Sequence, residues 1–150
     1  MPQSFARIYC HVIFSTKSRE PLVQADVAPR LYAYIGGTAR EIGTRLLAAG
    51  GMPDHVHLLI SLGRRTTLAD AVRDLKSNSS RWIHQTFDNL RGFGWQNGYG
   101  GFSVSHSNID DVKRYIAGQA DHHRGRSFKE EFRALLKRHG IEFDERYVWD

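Results

Sequence analysis

Two hydrophobic periods alternate along this 150-residue chain, and their order constrains the fold more than any other feature of the sequence. Segments in which every second residue is apolar predict strands, and segments with apolar residues three or four apart predict amphipathic helices. The clearest strand is His55 to Leu62, where Val56, Leu58 and Ile60 share one apolar face. The elements follow the order strand, helix, strand, strand, helix, strand, with further helices behind them. This βαββαβ order predicts an α+β, ferredoxin-like or RRM-like core with an antiparallel sheet and added C-terminal helices.

Capping and turn residues give the bounds of the other elements. Asp26 and Thr67 are predicted helix N-caps, whereas Gly43 and Gly140 end helices. Glycine and proline in residues 50–54 predict a turn, and residues 88–101 predict a loop that is rich in glycine and aromatic side chains. The predicted strands are 7–15, 45–49, 55–62 and 102–106, and the predicted helices are 26–43, 67–87, 108–123 and 127–139.

Composition limits the class of protein and the kind of partner. Apolar residues make up 41% and charged residues 25%, as in average globular domains. No apolar run approaches the ~18 residues of a membrane span, and no signal-peptide layout is present, so we expect a cytoplasmic protein. Twenty-one Lys and Arg residues against sixteen Asp and Glu residues give a net charge of +5. This balance favours a polyanionic partner such as nucleic acid.

The first group with chemical potential is the pair His55 and His57. Side chains two apart on a strand share a face, with α-carbons roughly 6.7 Å apart, so the two imidazoles can reach one divalent ion. The preceding Pro53 and Asp54 place the pair beside a turn, where a substrate could approach. The alternative is two polar residues on the solvent-facing side of a half-buried strand.

A second group lies on the predicted helix 108–123. Tyr115 and Gln119 are four residues apart and therefore share one helical face, which continues into His122 and His123. A tyrosine hydroxyl can attack an electrophile that a metal polarises, and an amide oxygen is a hard ligand suited to magnesium or manganese. The alternative is ordinary packing and solvated surface on an amphipathic helix.

A third group is basic and aromatic. Trp82, Trp95 and Tyr99 could stack on unpaired bases, or could belong to the core. Six basic side chains follow the predicted strands or lie on the second helix and could contact phosphates. They are Lys17, Arg19, Arg64, Arg65, Lys76 and Arg81.

Common signatures of hydrolases and nucleotide-binding proteins are absent from the sequence. It contains no Gly-x-Ser-x-Gly motif, no P-loop and no dinucleotide fingerprint. The single cysteine, Cys10, excludes an internal disulfide and a cysteine-based zinc finger. It lies mid-strand on the apolar face, where a thiol is expected to be inert. The candidate chemistry therefore depends on the histidine pair and the tyrosine helix.

Several strings of the sequence, taken in order, match the pattern of one family. MPDHVHLLI at 52–60 contains two histidines around a hydrophobic residue, HVIFSTKSREP lies at 11–21, and GYGGFSVSHSNIDDVKRYIAGQADHH at 98–123 carries a Tyr-x-x-x-Gln helix. The C-terminal string SFKEEFRALLKRHGIEFDERYVW is also typical. Over nearly its whole length the chain resembles the single-tyrosine HUH transposases of small bacterial insertion sequences and the related REP-associated tyrosine transposases.

The resemblance implies a metal-dependent DNA transposase that cleaves and rejoins single-stranded DNA. Tyr115 would attack a phosphodiester, leaving a 5′-phosphotyrosine link and a free 3′-hydroxyl. His55, His57 and Gln119 would hold a Mg²⁺ or Mn²⁺ ion that polarises the scissile phosphate. The phosphotyrosine would store the bond for rejoining, so that two transesterifications replace hydrolysis.

The resemblance also implies partners and an assembly. Members of the family recognise imperfect hairpins at element ends and form dimers in which the histidine pair and the tyrosine helix come from different chains. We therefore expect single-stranded DNA with hairpin ends as the partner, a homodimer with shared sites, and a place in the bacterial cytoplasm. All 150 residues are expected to form one domain, with a core at about 5–106, the tyrosine helix at about 108–123 and a C-terminal helix at about 127–139.

Two other functions stay open at this point. A non-catalytic protein that binds hairpins of single-stranded DNA or RNA could use the same core and leave the histidine pair idle. A metal-dependent phosphodiesterase that acts on a small nucleotide would not need Tyr115 and would turn over without a covalent adduct.

Overall fold

The computed structural model describes residues 3–150, which fold around one four-stranded antiparallel sheet. The order across the sheet is β2-β3-β1-β4, so the two central strands are hydrogen-bonded on both sides. This topology confirms the predicted ferredoxin-like core. The strands are β1 (Tyr9–Ser15), β2 (Arg45–Met52), β3 (His55–Ser61) and β4 (Gly100–Val104).

Five α-helices accompany the sheet in the described part of the chain. Thr67 caps the second of them as predicted, because its side chain accepts a hydrogen bond from the Asp70 backbone N–H. None of the helices within residues 3–150 has the length and apolarity needed to cross a membrane. The helices are α1 (Ala28–Glu41), α2 (Leu68–Thr86), α3 (Ile109–Ala117), α4 (Gln119–His122) and α5 (Phe128–Arg138).

Strands β1 and β3 lie within two residues of their predicted bounds, whereas β2 is extended and both ends of β4 are shifted. Gly50 and Gly51, predicted as part of a turn, continue β2 and pair with β3, so the hairpin turn is confined to residues 53–54. Glycine is compatible with both conformations, and pairing with β3 decides between them. Strand β4 spans 100–104 rather than 102–106, because residues 100 and 101 also pair with β1.

Two helix predictions are also corrected. The N-terminal cap position of α1 is Val27 rather than Asp26, and no side chain caps it. The predicted helix 108–123 is divided at Gly118, where the backbone leaves helical geometry (φ −92°, ψ 20°). The Gly118 N–H still donates to the Arg114 carbonyl, so α4 continues directly from α3.

The first face of the sheet carries the larger core. Alternate side chains of β1 and β3 are buried there with residues of α1 and α2, which confirms the predicted apolar faces of both strands. Phe93 and Trp95 of the glycine-rich loop belong to the same core. The strand residues buried in it are Cys10, Val12, Phe14, Val56, Leu58 and Ile60.

The second face of the sheet is covered by the three C-terminal helices. Ile13 of β1 and Phe102 of β4 form a smaller apolar cluster there with α5, whose N-cap Ser127 accepts a hydrogen bond from the Glu130 backbone N–H. Side chains on this face of β3 are therefore buried rather than exposed to solvent. The residues that α5 contributes to the cluster are Phe128, Phe132, Leu135 and Leu136.

Gly50 allows α3 to approach the sheet closely. A Cβ atom at position 50 would lie 2.6 Å from the Ile116 carbonyl oxygen and 3.0 Å from its Cγ2 atom. Gly50 pairs with His57 across β2 and β3, so the close approach occurs beside the histidine pair. Only glycine leaves room for a helix backbone at this distance.

Candidate active site

The candidate site begins with the two histidines at the start of β3. The side chains of His55 and His57 lie on the second face of the sheet and are both fully buried, with ring centroids 5.2 Å apart. The predicted shared face is present, but it is not open to solvent. Buried imidazoles need hydrogen-bond partners, and the chain supplies them from α4, α5, β1 and the turn at residues 53–54.

The Glu131 carboxylate of α5 lies at the centre of the site and is 1% exposed. Its Oε1 atom lies 2.9 Å from His57 Nε2, 3.1 Å from His123 Nε2 and 3.4 Å from His55 Nε2. Three imidazoles from different parts of the chain therefore surround one carboxylate oxygen.

The other oxygen of this carboxylate meets the two residues predicted on the tyrosine helix. The Tyr115 hydroxyl donates to Glu131 Oε2, and Gln119 Nε2 donates to the same atom at 3.1 Å. Gln119 Oε1 lies 3.0 Å from His55 Nε2. Tyr115 and Gln119 thus share one environment with the histidine pair although Gly118 interrupts the helix between them.

Outer contacts hold two of the imidazole rings in place. His55 Nδ1 donates to the Asp54 carboxylate at 2.7 Å. His123 Nδ1 donates to the Arg126 carbonyl oxygen at 2.6 Å. In both residues the Nε2 atom is therefore directed toward Glu131.

Burial and hydrogen bonding shift the pKa values of the buried imidazoles in different directions. Burial disfavours the His55 imidazolium, but hydrogen bonds to Asp54 and Glu131 outweigh burial and raise the pKa of His55 to about 9. His57 Nδ1 and His11 Nε2 share a hydrogen bond of 2.8 Å. Burial lowers the pKa of His57, and burial together with the neighbouring His57 lowers the pKa of His11 to about 3. His11 is therefore a neutral partner that orients His57.

The pKa values of Glu131 and Tyr115 are shifted away from neutrality, so that neither side chain changes charge near neutral pH. Burial alone would raise the pKa of Glu131, but hydrogen bonds from His55 and His57 hold that pKa well below its usual range. Burial and the adjacent Glu131 carboxylate raise the pKa of Tyr115 above its usual value. Glu131 is therefore an anion that accepts a hydrogen bond from a neutral phenol.

The donor set of the cluster fits a divalent metal ion. Within residues 3–150, one donor atom each from His55, His57, His123 and Glu131 lies within 4.8 Å of the other three. Imidazole nitrogens and carboxylate oxygens are common ligands of divalent metals. The predicted ligand oxygen of Gln119 faces the same cluster.

Two surface grooves adjoin the cluster. One is bordered by β4, α3 and α5 and includes Tyr115 and Arg138. The other reaches His123 and is bordered by Arg19 and Arg126. Basic side chains therefore flank the site where a phosphate chain could pass.

Other predicted DNA-contacting residues lie farther from the cluster. Arg64 and Arg65 follow the end of β3 opposite the histidine pair, and the Arg64 guanidinium donates to the Ser4 carbonyl at 3.0 Å. Arg81 is exposed on α2, on the side of the first core. Lys17 is exposed at the start of the short 3₁₀ helix that follows β1 and ends at Arg19.

Lys76 is engaged within the fold. Its Nζ atom donates to the carbonyl oxygens of Gln96, Asn97 and Gly98 at 2.7, 3.1 and 2.6 Å. Burial lowers the pKa of Lys76 to about 8. All three ammonium protons are directed at carbonyls, so this side chain fastens the glycine-rich loop to α2.

The glycine-rich loop does not present a row of aromatic rings for base stacking. Trp95 is buried, and its Nε1 atom donates to Ser79 Oγ at 3.0 Å. Trp82 stacks on Tyr34, with centroids 4.9 Å apart. Of the three aromatic residues predicted to stack on bases, Tyr99 is the exposed one.

Glu131 and Asp54 carry no clear signal in the sequence, whereas His123 lies on the predicted face of the tyrosine helix. Glu131 lies in the first turn of α5, where an acidic side chain is already favoured by the helix dipole. Asp54 belongs to a turn, where aspartate is common. His123 follows Gln119 by four residues, and that spacing is the signal that would place it on the site.

Comparisons with known proteins point to one family. The family described as IS200-like transposases matches residues 4–119. The ISDra2 transposase TnpA of Deinococcus radiodurans is 29% identical over 116 residues, which cover 74% of this chain and 83% of that protein.

Two solved structures of transposases are also similar to this chain. A protein of Deinococcus radiodurans R1 described as a transposase matches with a TM-score of 0.65 and 28% identity, over 79% of this chain and 98% of that chain. A REP-associated tyrosine transposase bound to a REP hairpin matches with a TM-score of 0.61 and 13% identity, over 83% of this chain and 73% of that chain. At that identity the second similarity concerns the fold alone.

Proposed function

The chain belongs to the family of IS200-like transposases, and on that premise we propose that it cleaves and rejoins single-stranded DNA through a covalent link to Tyr115. One observation carries the proposal: the Tyr115 hydroxyl and the predicted metal ligands converge on a single buried carboxylate, Glu131. A nucleophile beside a set of metal ligands is the arrangement that metal-assisted phosphoryl transfer requires.

The proposed reaction exchanges one phosphate ester for another. The Tyr115 oxygen attacks the phosphorus of a phosphodiester, a bond forms to the tyrosine, and the bond to the 3′-oxygen breaks. The Tyr115 hydroxyl loses its proton, and the departing 3′-oxygen gains one. The products are a 5′-phosphotyrosine and a strand with a free 3′-hydroxyl. Rejoining occurs when a 3′-hydroxyl attacks the phosphotyrosine and restores the Tyr115 hydroxyl. Since an ester bond is formed at each step, no external energy source is needed.

We assign His55, His57 and Gln119 as residues that hold a divalent ion, Mg²⁺ or Mn²⁺. When bound, such an ion polarises the scissile phosphate and stabilises the departing oxygen. The histidines are buried at the start of a central strand, and Asp54 and His11 orient their rings. The protein thus supplies the two histidine ligands from a central strand of the sheet and Gln119 from α4.

Single-stranded DNA with hairpin ends is the partner that we propose. The net charge of +5 and the REP hairpin bound by a structural relative support it. Arg19 and Arg126 border the groove that reaches the site and would contact phosphates near the cleaved bond. Contacts farther from the site would come from Lys17, Arg64, Arg65 and Arg81.

We also propose that a single chain supplies all the residues of one site. The resemblance predicts a homodimer in which the histidine pair and the tyrosine helix come from different chains. Here His57 and Tyr115 of the same chain contact Glu131 together. Because α5 supplies Glu131, we propose that all 150 residues act as one domain.

A strand-cleavage assay tests the proposed reaction. Single-stranded DNA containing the hairpins that flank the gene is labelled at either end and mixed with protein and Mn²⁺ or Mg²⁺. The 5′-labelled fragment should leave with a 3′-hydroxyl that a polymerase can extend, and the 3′-labelled fragment should stay on the protein. Equal cleavage by Tyr115→Phe would contradict the proposal and favour a hydrolytic phosphodiesterase. Tight hairpin binding without any cleavage would favour a binding protein.

A further inference from the structure

His123 and Glu131 lie beyond residue 119, where the family match ends, yet their side chains meet at the centre of the site. We infer that His123 and Glu131 are further ligands of the metal ion, and that the second oxygen of Glu131 positions the Tyr115 hydroxyl beside that ion. The inference rests on the proposed function, because it names the remaining ligands of the same site.

The hydrogen bonds of His123 leave a lone pair directed at Glu131. The partner of His123 Nδ1 is the Arg126 carbonyl oxygen, which can only accept, so Nδ1 carries the proton. In the neutral ring Nε2 is then an acceptor, and it lies 3.1 Å from Glu131 Oε1, which is also an acceptor. Two acceptors at this distance require a positive charge between them, supplied by a proton or by a metal ion.

His55 shows the same arrangement. Its Nδ1 faces the Asp54 carboxylate at 2.7 Å and carries the proton. A metal ion must displace the second proton of the ring, and the Nε2 lone pair then exposed faces Gln119 Oε1 at 3.0 Å and Glu131 Oε1 at 3.4 Å. Metal-bound histidines commonly donate their outer N–H to a carboxylate or a carbonyl oxygen. A single dication satisfies all of these inward-facing acceptors at once.

The two oxygens of Glu131 connect the ligands to the nucleophile. Oε1 faces the three imidazoles, whereas Oε2 accepts hydrogen bonds from the Tyr115 hydroxyl and from Gln119 Nε2. If Oε1 held the ion, Oε2 of the same carboxylate would keep the tyrosine hydroxyl beside the ligand set. Glu131 is in this sense a positioning residue for Tyr115.

The ligand set also indicates a class of metal. Three imidazoles, from His55, His57 and His123, together with the oxygens of Glu131 and Gln119 suit a transition-metal dication such as Mn²⁺. Mg²⁺ prefers oxygen ligands and gives up its water reluctantly, so a nitrogen-rich site disfavours it. We therefore expect Mn²⁺ to bind this site more tightly than Mg²⁺.

Titration of Mn²⁺ into metal-free protein tests the ligands without DNA or catalysis. The free ion is followed by its electron paramagnetic resonance signal. Glu131→Gln and His123→Ala should each weaken Mn²⁺ binding by about 10-fold or more. Glu130→Gln, the exposed neighbouring carboxylate on α5, is the matched control and should bind like the wild type. Thermal unfolding without metal checks that each variant is folded. If Glu131→Gln does not fold, His123→Ala still tests whether the cluster binds the metal.

The same titration can overturn the inference. Unchanged Mn²⁺ affinity in folded Glu131→Gln and His123→Ala would show that neither residue is a ligand. Tighter binding by Glu131→Gln would also contradict it, because the carboxylate would then compete with the ion for the imidazoles. Displacement of Mn²⁺ by an equal concentration of Mg²⁺ would contradict the metal preference.

The positioning role has its own readout. At saturating Mn²⁺, Glu131→Gln should slow the formation of the DNA adduct while DNA affinity stays unchanged, and an unchanged rate would contradict the role. A wild type that binds Mn²⁺ through these ligands but cleaves no DNA would refute the proposed function and leave the ligand assignment standing. A wild type that cleaves DNA, with full Mn²⁺ affinity in Glu131→Gln, would refute the assignment alone.

Discussion

At the scale of single residues, burial decides what a basic side chain does. The Lys76 ammonium group donates to the carbonyls of Gln96, Asn97 and Gly98 and is directed into the fold. We predict that Lys76→Met lowers the free energy of unfolding by about 1–3 kcal/mol, because three carbonyls lose their donor. Urea unfolding measures the change, and Arg81→Met on the same helix is the exposed control. Equal stability of Lys76→Met and wild type would show that water replaces the ammonium.

The site residues differ in how far the sequence reveals them. His55 and His57 are two apart on a strand, and Tyr115 and Gln119 are four apart around a helical turn, so local spacing predicts each pair. Glu131 contacts residues that lie 74 and 16 positions away along the chain. No local pattern links such distant positions, and the contact exists because α5 folds over the second face of the sheet.

At the scale of helices and strands, local periodicity predicts where an element lies but not where it ends. The apolar alternation of β1 and β3 places both strands correctly, because side-chain direction follows from the backbone alone. The length of β2 depends on pairing of Gly50 and Gly51 with a neighbouring strand. The amphipathic pattern of α5 predicts a helix, but it does not say which face of the sheet that helix covers.

The contact between α3 and β2 gives a prediction at this scale. Gly50→Ala should displace α3, because the added Cβ would lie 2.6 Å from the Ile116 carbonyl oxygen. A displacement of about 1 Å at Tyr115 can cost about 100-fold in rate. We therefore expect the rate of adduct formation to fall by about that factor, and the free energy of unfolding to fall by about 1–3 kcal/mol.

Gly37 in α1 provides the control for this substitution. A Cβ atom at position 37 would meet nothing within 4 Å. Gly37→Ala should therefore keep full activity and raise stability by about 0.5–1 kcal/mol, since alanine is the better helix former. Full activity of Gly50→Ala would show that α3 does not need its close approach to β2.

At the scale of the whole molecule, the sheet separates a packed structural face from the face that carries the site. Arg19 and Arg126 border the groove that reaches His123, whereas Arg81 lies on α2 above the opposite face. We predict that Arg19→Ala and Arg126→Ala weaken binding of hairpin DNA more than Arg81→Ala does. A plot of the logarithm of the association constant against the logarithm of the salt concentration should also become less steep by about 1 in each of these two variants. This is the value for one lost phosphate contact.

Fluorescence anisotropy at several salt concentrations measures both quantities in the arginine variants. A larger loss of affinity and slope for Arg81→Ala than for Arg19→Ala or Arg126→Ala would place the DNA on the α1–α2 side of the sheet. The groove beside His123 would then have no part in DNA binding.

Whether one chain or two chains supply the residues of a site is a second question at the scale of the whole molecule. His57 and Tyr115 of the same chain both contact Glu131. If this arrangement is the reactive one, a mixture of His57→Ala and Tyr115→Phe chains should form no adduct. Recovery of adduct in the mixture, with neither variant active alone, would show that two chains exchange their tyrosine helices.

The residue that becomes linked to DNA identifies the nucleophile of the proposed reaction. Protein is incubated with Mn²⁺ and single-stranded DNA carrying the flanking hairpins, then digested with nuclease and protease, and the nucleotide-bearing peptide is sequenced by mass spectrometry. We predict that the phosphate is found on Tyr115, and that Tyr115→Phe gives no adduct. A phosphate on another residue, or an adduct of equal yield in Tyr115→Phe, would contradict the assignment of Tyr115 as the nucleophile.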